Sequence, residues 1–221
     1  MLDLCTGTGC ISLLLFSLLA RNYPQIEILG VDISETALKL ARKNLRHNVA
    51  QAHLGANALH RVLFMKADLL SNDFCSGRQS VYDKNWDIVI SNPPYISETD
   101  FNKSTSRSVR NWEPKLALVP PEHKMRYANC SRQEDIFYPI ILDTALSSRA
   151  KVVLMEVSDT TQALRVAQIA LDRGFWRSVE IWRDWPSHMD EDAGTIREVV
   201  VGEHVVTLKG SGQGRAVVCR I

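Results

Sequence analysis

Four short apolar runs in the first half of the chain each lead into a side-chain acceptor. Residues 2–4 enclose Asp3, residues 27–31 run into Asp32, residues 62–65 lead to Asp68, and residues 86–91 end at Asn92. Between them lie stretches of helical spacing. Residues 10–22 form one, and Ala37, Leu38, Leu40, Ala41 and Leu45 recur through about residue 48 behind a capping Ser34. Runs this short cannot be helices, and their alternation with helical segments predicts successive βα units. The expected fold is α/β and Rossmann-like: a mainly parallel, seven-stranded sheet with helices on both faces.

The second half continues the pattern. Residues 133–148 read as a helix that Pro139 must bend or delay, 151–157 as a buried strand, 160–173 as an amphipathic helix ended by Gly174, and 179–183 as a strand. Residues 198–201 and 216–219 compete for the final strand. The second is preferred, because the preceding GSGQGR reads as a turn. Three stretches fit no element cleanly. Residues 49–61 suggest a loop or a short helical turn, and residues 71–85 a polar surface segment, together an insertion of about 49–85. Residues 98–130 are irregular and long enough for a functional loop, placing a substrate loop at about 92–130 and an extended tail at about 184–221.

At 221 residues one catalytic domain spanning 1–221 is expected. A formal charge of +1 gives no global attraction to nucleic acid or membrane. Cys5, Cys10, Cys75, Cys130 and Cys219 form no CxxC pair and read as free thiols of a reducing compartment. His47, His53, His60, His123, His188 and His204 lack metal-ligand spacing, so no metal is expected. The apolar stretch 11–20 is too short to span a bilayer. Since Met1 already stands at the end of a strand, the chain is expected either to be a fragment or to start inside what was once a longer protein.

Asp3-Leu4-Cys5-Thr6-Gly7-Thr8-Gly9 joins the first strand to the first helix. Glycines there let the backbone turn tightly and approach a ligand. Asp32, closing the second strand, is placed to accept from a ribose diol, and Asp68 from an exocyclic amine such as that of adenine. Ser12 stands where a full dinucleotide fingerprint would have its third glycine, so a single adenosine conjugate fits better than a dinucleotide.

The combination of DLCTGTG with SNPPYI at residues 91–96 resembles class I S-adenosylmethionine-dependent methyltransferases that modify a planar amide or amine nitrogen. RNWEPKLALVP at 110–120 and VLMEVS at 153–158 narrow the resemblance to release-factor glutamine methyltransferases of the HemK/PrmC type. It runs from residue 1 to about 183 and resumes at the terminal GRAVVCR. It implies S-adenosylmethionine as cofactor, held by Asp3, Thr6, Gly7, Gly9, Asp32, Ile33, Asp68, Leu69 and Asn92. Asn92, Pro93, Pro94 and Tyr95 would form the catalytic motif, with Glu113 and Pro114 beside the acceptor and Arg110 and Glu156 more loosely connected to it. The motif's chemistry supports this. A glutamine nitrogen has its lone pair delocalised, so it must be aimed rather than deprotonated. The Asn92 side-chain carbonyl and the Pro93 backbone carbonyl can each accept one amide hydrogen, the prolines keep them rigid, and Tyr95 can wall the planar group. Cys5 stands where the family usually has glycine, and a positive φ there would be strained.

The same resemblance implies a helical amino-terminal domain, outside this chain, that engages the release factor. Two other readings compete with a monomeric release-factor enzyme. One is a methyltransferase of nucleic-acid exocyclic amines, adenine N6 or guanine N2; the other is an inactive S-adenosylmethionine-binding remnant. Direct nucleic-acid and membrane partners are not expected. The insertion and tail resemble organellar, eukaryotic members of that family more than compact bacterial ones, which implies a mitochondrial site, with the cytoplasm as the alternative.

Overall fold

The structure, a computed structural model, describes residues 1–77, 80–122, 131–187 and 197–221. Parts of the predicted insertion, substrate loop and tail, with Cys130, His123 and His188, lie outside the described residues.

The strands are β1 (Leu2–Leu4), β2 (Ile28–Asp32), β3 (Val62–Lys66), β4 (Ile88–Ser91), β5 (Val152–Glu156), β6 (Ser178–Trp185), β7 (Arg197–Val201), β8 (His204–Lys209) and β9 (Ser211–Arg220). The helices are α1 (Cys10–Leu19), α2 (Glu35–Ala50), α3 (Ala58–Arg61), α4 (Asn72–Cys75), α5 (Glu98–Lys103), α6 (Arg107–Trp112), α7 (Phe137–Ser147) and α8 (Thr160–Leu171). All the strands join one sheet in the order β3-β2-β1-β4-β5-β9-β6-β8-β7. Pairing from β3 through β5 is parallel throughout, whereas β9 runs antiparallel between β5 and β6.

Alternation along the strands divides the apolar side chains between two clusters. Ile28 and Val62 pack with Leu13 and Phe16 of α1, Leu45 of α2 and Ala58 of α3. Leu2, Leu4, Val31, Val89 and Val153 pack instead with Ile141 and Leu142 of α7 and Val166 of α8. A sheet covered on both faces explains why its central strands read as unbroken apolar runs. Pro139 is tolerated because it is the third residue of α7, within the turn whose N–H groups lack helical partners anyway.

The α/β class is as expected, but among the described residues the sheet has nine strands rather than seven. Both candidate final strands exist, and the surplus is the β7–β8 hairpin, turning at Gly202 with φ +61°. GSGQGR is mostly strand rather than turn. β9 begins at Ser211, and the register against β6 shifts between Trp182 and Trp185. Glycines suit such an irregularity as well as they suit a turn. The stretch expected to be a polar surface segment is anchored in the main core by Phe74 and Val81, both fully buried. The loop expected to be irregular contains α5 and α6, whose amino termini are capped by Ser97 and Ser106.

Candidate functional site

Strand order sets the location. The chain winds outward from β1 through β2 to β3, then crosses back to lay β4 and β5 on the other side. Ligands of open α/β sheets bind at such a reversal, beyond the carboxyl ends of the strands. Leu4 is level with Val31 on one side and Ser91 on the other, and Ser91 is level with Met155. The next residues, Cys5, Asp32, Asn92 and Glu156, therefore share the carboxyl edge.

The turn after β1 is built around Asp3, which is 1 % exposed. Its Oδ2 accepts from Thr6 Oγ1 at 2.7 Å and Ser12 Oγ at 2.6 Å. Burial raises its carboxyl pKa, against the lowering by those hydroxyls. Oδ1 is buried and has no hydrogen-bond partner among the described residues. Ser12, which interrupts the dinucleotide fingerprint, thus has its own task of fixing this carboxylate. The turn contains Cys5, Gly7 and Gly9 at φ +61°, +57° and +79°, and Asn44 Nδ2 holds it from α2 by donating to the Thr8 carbonyl at 3.0 Å. The expected strain at Cys5 is present, and burial pushes its thiol up well beyond the ordinary range.

Asp32 Oδ2 accepts from the Gly7 N–H and Oδ1 from the Ser34 N–H, each at 2.8 Å. The carboxylate is thereby locked to the glycine turn, and each oxygen keeps further acceptor capacity. Ile33 beside it is 41 % exposed, an apolar surface at the sheet edge. Asp68 Oδ1 accepts from the Leu70 N–H at 2.9 Å. Leu69 has its side chain in the main core, so any contact of this residue with a ligand falls to its backbone.

Across the reversal, Ser91 Oγ donates to the Leu4 carbonyl at 2.8 Å and ties β4 to β1 just before the motif. Asn92 is exposed and Pro93 buried. The Asn92 carboxamide and Pro93 carbonyl take no hydrogen bond from any described residue. Tyr95 is tethered at its far end. Its hydroxyl donates to Glu156 Oε1 at 2.9 Å, and its ring packs against the main core. Burial, with the Glu156 charge, pushes its phenol up to about 12, so it is neutral near pH 7. Glu156 is thus the partner of Tyr95, and its backbone carbonyl also accepts from Tyr138 at 2.9 Å.

Glu113 and Pro114 lie exposed at the end of α6, where the Glu113 N–H donates to the Val109 carbonyl. Arg110 donates to the Asn102 carbonyl at 2.9 Å within the same loop. The loop is fastened to the motif elsewhere, by the Ile96 N–H donating to the Leu118 carbonyl at 2.9 Å. A separate cavity of about 400 Å³ against β3 and α2, lined by Leu45, Arg46, Leu59 and Leu63 among others, includes none of the strand-end acceptors. No metal-ligand cluster occurs among the described residues.

The family model of the methyltransferase small domain matches residues 1–111, which contain the glycine turn, all three aspartates and the Asn-Pro-Pro-Tyr motif. The chain belongs to that family. A release factor glutamine methyltransferase of Bacteroides thetaiotaomicron is 38 % identical over 128 residues, covering 58 % of this chain and 38 % of the relative. A probable MRF1 mitochondrial N(5)-glutamine methyltransferase of Schizosaccharomyces pombe is 33 % identical over 179 residues, covering 76 % and 54 %. The resemblance read from the motifs is borne out, although the chain spans about half or less of each relative's length. Among solved structures, the human Mettl16 catalytic domain in complex with MAT2A 3′UTR hairpin 6 superposes with a TM-score of 0.53 at 16 % identity, over 99 % of this chain and 63 % of that one. That likeness concerns the fold alone.

Proposed function

We propose that residues 1–221 form the catalytic domain of a methyltransferase that modifies the side-chain nitrogen of a glutamine in a peptide chain release factor, with S-adenosylmethionine as methyl donor. The names of the relatives support the substrate class. The buried, unpartnered Asp3 Oδ1 and the locked Asp32 carboxylate suit the cofactor, since both are acceptors and it carries a cationic amine and a ribose diol. Exposed Ile33 offers an apolar face to a purine. Gly7 would line the cofactor with backbone alone, because a Cβ there would meet nothing within 4 Å. S-adenosylmethionine supplies an electrophilic methyl group when bound.

The observation that carries the reading is the pair of untethered acceptors at the end of β4, Asn92 Oδ1 and the Pro93 carbonyl, one step beyond the Leu4–Ser91 register pair. An amide NH₂ held by both has its two hydrogens occupied and its lone pair directed out of their plane. Positive charge developing on nitrogen falls on two fixed dipoles that need no reorganisation. Tyr95, anchored through Glu156, backs the pair and moves no proton near neutral pH. Asn92→Ala should lower turnover on the release factor by about 10²-fold or more, the scale of losing one such group, with S-adenosylmethionine affinity retained. Equal loss of both would show that Asn92 only supports the fold. A release factor whose target glutamine is replaced by alanine should accept no methyl group; continued transfer to it, or transfer to nucleic acid, would refute the substrate. The mitochondrial relative of Schizosaccharomyces pombe supports a mitochondrial site for this chain as well.

A further inference from the structure

Gln162, on the first turn of α8, is 1 % exposed although it is polar, far from the motif in sequence and absent from the set expected at the site. Its Oε1 accepts from the Ser158 N–H at 2.8 Å, which fixes which way the amide points. Nε2 then faces three acceptors: Asp135 Oδ1 at 2.9 Å, the Glu134 carbonyl at 3.1 Å and the Tyr95 carbonyl at 3.3 Å. Two hydrogens serve three acceptors, so at least one bond is shared. Asp135, 2 % exposed, is held in turn by Arg165, one turn along α8, through Nε at 2.6 Å and Nη2 at 3.0 Å. The neighbouring Gln133 accepts from the Glu98 N–H at 3.2 Å and donates to the Pro120 carbonyl at 2.5 Å. Glu98 and Pro120 of the substrate loop are thus held by Gln133, beside Glu134 and Asp135, which with the end of the Asn-Pro-Pro-Tyr motif meet the start of α8 in one polar network.

We infer that Gln162 is a positioning residue for the methyl acceptor: by donating to the Tyr95 carbonyl while locked to Asp135 and Ser158, it holds the motif backbone at the spacing that presents the Asn92 and Pro93 oxygens. The inference rests on the reading of those oxygens as the acceptor clamp. It touches no reacting atom. A fully buried amide with every group satisfied specifies one arrangement of the segments it joins, because any alternative leaves buried acceptors unpaired. Glu156 braces the same tyrosine from its hydroxyl end, so Tyr95 is fixed at both carbonyl and ring.

Two variants of the full chain test this, Gln162→Leu and Gln162→Glu, in three measurements: S-adenosylmethionine affinity, methylation of the release factor, and amide hydrogen exchange. In Gln162→Leu the expected result is a cofactor Kd within about twofold of wild type and a kcat lowered by about tenfold or more, the scale of a modest misplacement, with little change in the release-factor KM. Exchange at the Ile96 amide should accelerate while Val166 and Ala170 in the middle of α8 keep wild-type protection. Gln162→Glu keeps the volume but turns a carboxylate toward Asp135 and two carbonyls; only its protonated form can donate. Its kcat should therefore rise as pH falls, relative to wild type, which loss of packing would not produce. Wild-type exchange at Ile96 in both variants, or a Gln162→Glu pH profile matching wild type, overturns the inference. If Gln162→Leu does not fold, the glutamate variant decides. If the wild-type chain methylates no release factor, the proposed function fails, and the exchange data still decide whether Gln162 holds the motif.

Discussion

Gly7 and Gly9 sit in one turn with similar backbones, at φ +57° and +79°, yet their surroundings differ completely. A Cβ on Gly7 would meet nothing within 4 Å, whereas one on Gly9 would lie 2.8 Å from Phe64 Cζ and 3.1 Å from the Ala41 Cβ. Neither neighbour gives way easily. Ala41 is fixed to the backbone of α2, and the Phe64 ring is equally close to Gly30, where a Cβ would lie 2.7 Å from Cδ1. Alanine at either site incurs the left-handed penalty of about 1–2 kcal/mol, partly offset by reduced freedom of the unfolded chain. Those terms cancel in the comparison. What remains for Gly9→Ala is overpacking, about 1–3 kcal/mol, or very roughly 2–12 °C in melting temperature at about 2–4 °C per kcal/mol for a chain of this size. Gly7→Ala should be the more stable of the two and yet bind S-adenosylmethionine far more weakly, because its methyl group projects into the space assigned to the cofactor. Thermal melts of both apo-proteins and calorimetric titration of each would measure the crossing. If Gly9→Ala melts no lower than Gly7→Ala, or if affinity merely follows stability in both, the assignment of these glycines is wrong.

Two further perturbations test the frame around the site. Cys5 at φ +61° should make Cys5→Gly more stable than Cys5→Ala, both lacking the thiol, by up to about 1 kcal/mol; equal melting points would refute the strain. Glu180, although burial raises its pKa, is drawn down from 4.5 to about 2 by hydrogen bonds from Arg220, Trp182 and Lys209. A depressed folded pKa gives stability that is present above the unfolded value and lost as pH falls through the folded one. Glu180→Gln should therefore flatten the loss of stability between about pH 4.5 and about 2 in urea titrations, and an unchanged slope would remove the cluster from the account.

The strands that carry the site were legible because each announces itself twice, by a buried apolar run and by the acceptor at its end. Leu2–Leu4 was placed to the residue, and the strands ending near Asp32 and Asn92 within one or two. The β7–β8 hairpin was harder. Val200 and Val205, paired across it, are 71 % and 63 % exposed, so the apolar residues that suggest a strand here are not a buried run. The polar second layer was invisible for a different reason. Tyr95 and Glu156 are 61 positions apart and Tyr95 and Gln162 are 67 apart, and neither contact follows a helical or strand period. Only the packed sheet makes them neighbours, which is why the tether of Tyr95 and the partner of Glu156 could not be read from the sequence.

That second layer also bears on what chemistry the site can support. Asp32 accepts from two backbone N–H groups, Tyr95 is tied to Glu156, and Gln162 is fully engaged. The groups left unengaged by described residues include three acceptors: Asp3 Oδ1 in the glycine turn, and the Asn92 and Pro93 oxygens at the motif. Spare acceptors of this kind suit cations and N–H donors. Neither the Asn92 nor the Pro93 oxygen titrates, and the Tyr95 phenol, pushed up to about 12, stays protonated. On the function proposed above, the motif would contribute placement and fixed dipoles rather than a general base, which suits a weakly nucleophilic amide nitrogen, whose reactivity depends on direction and on compensation of positive charge as the new bond forms.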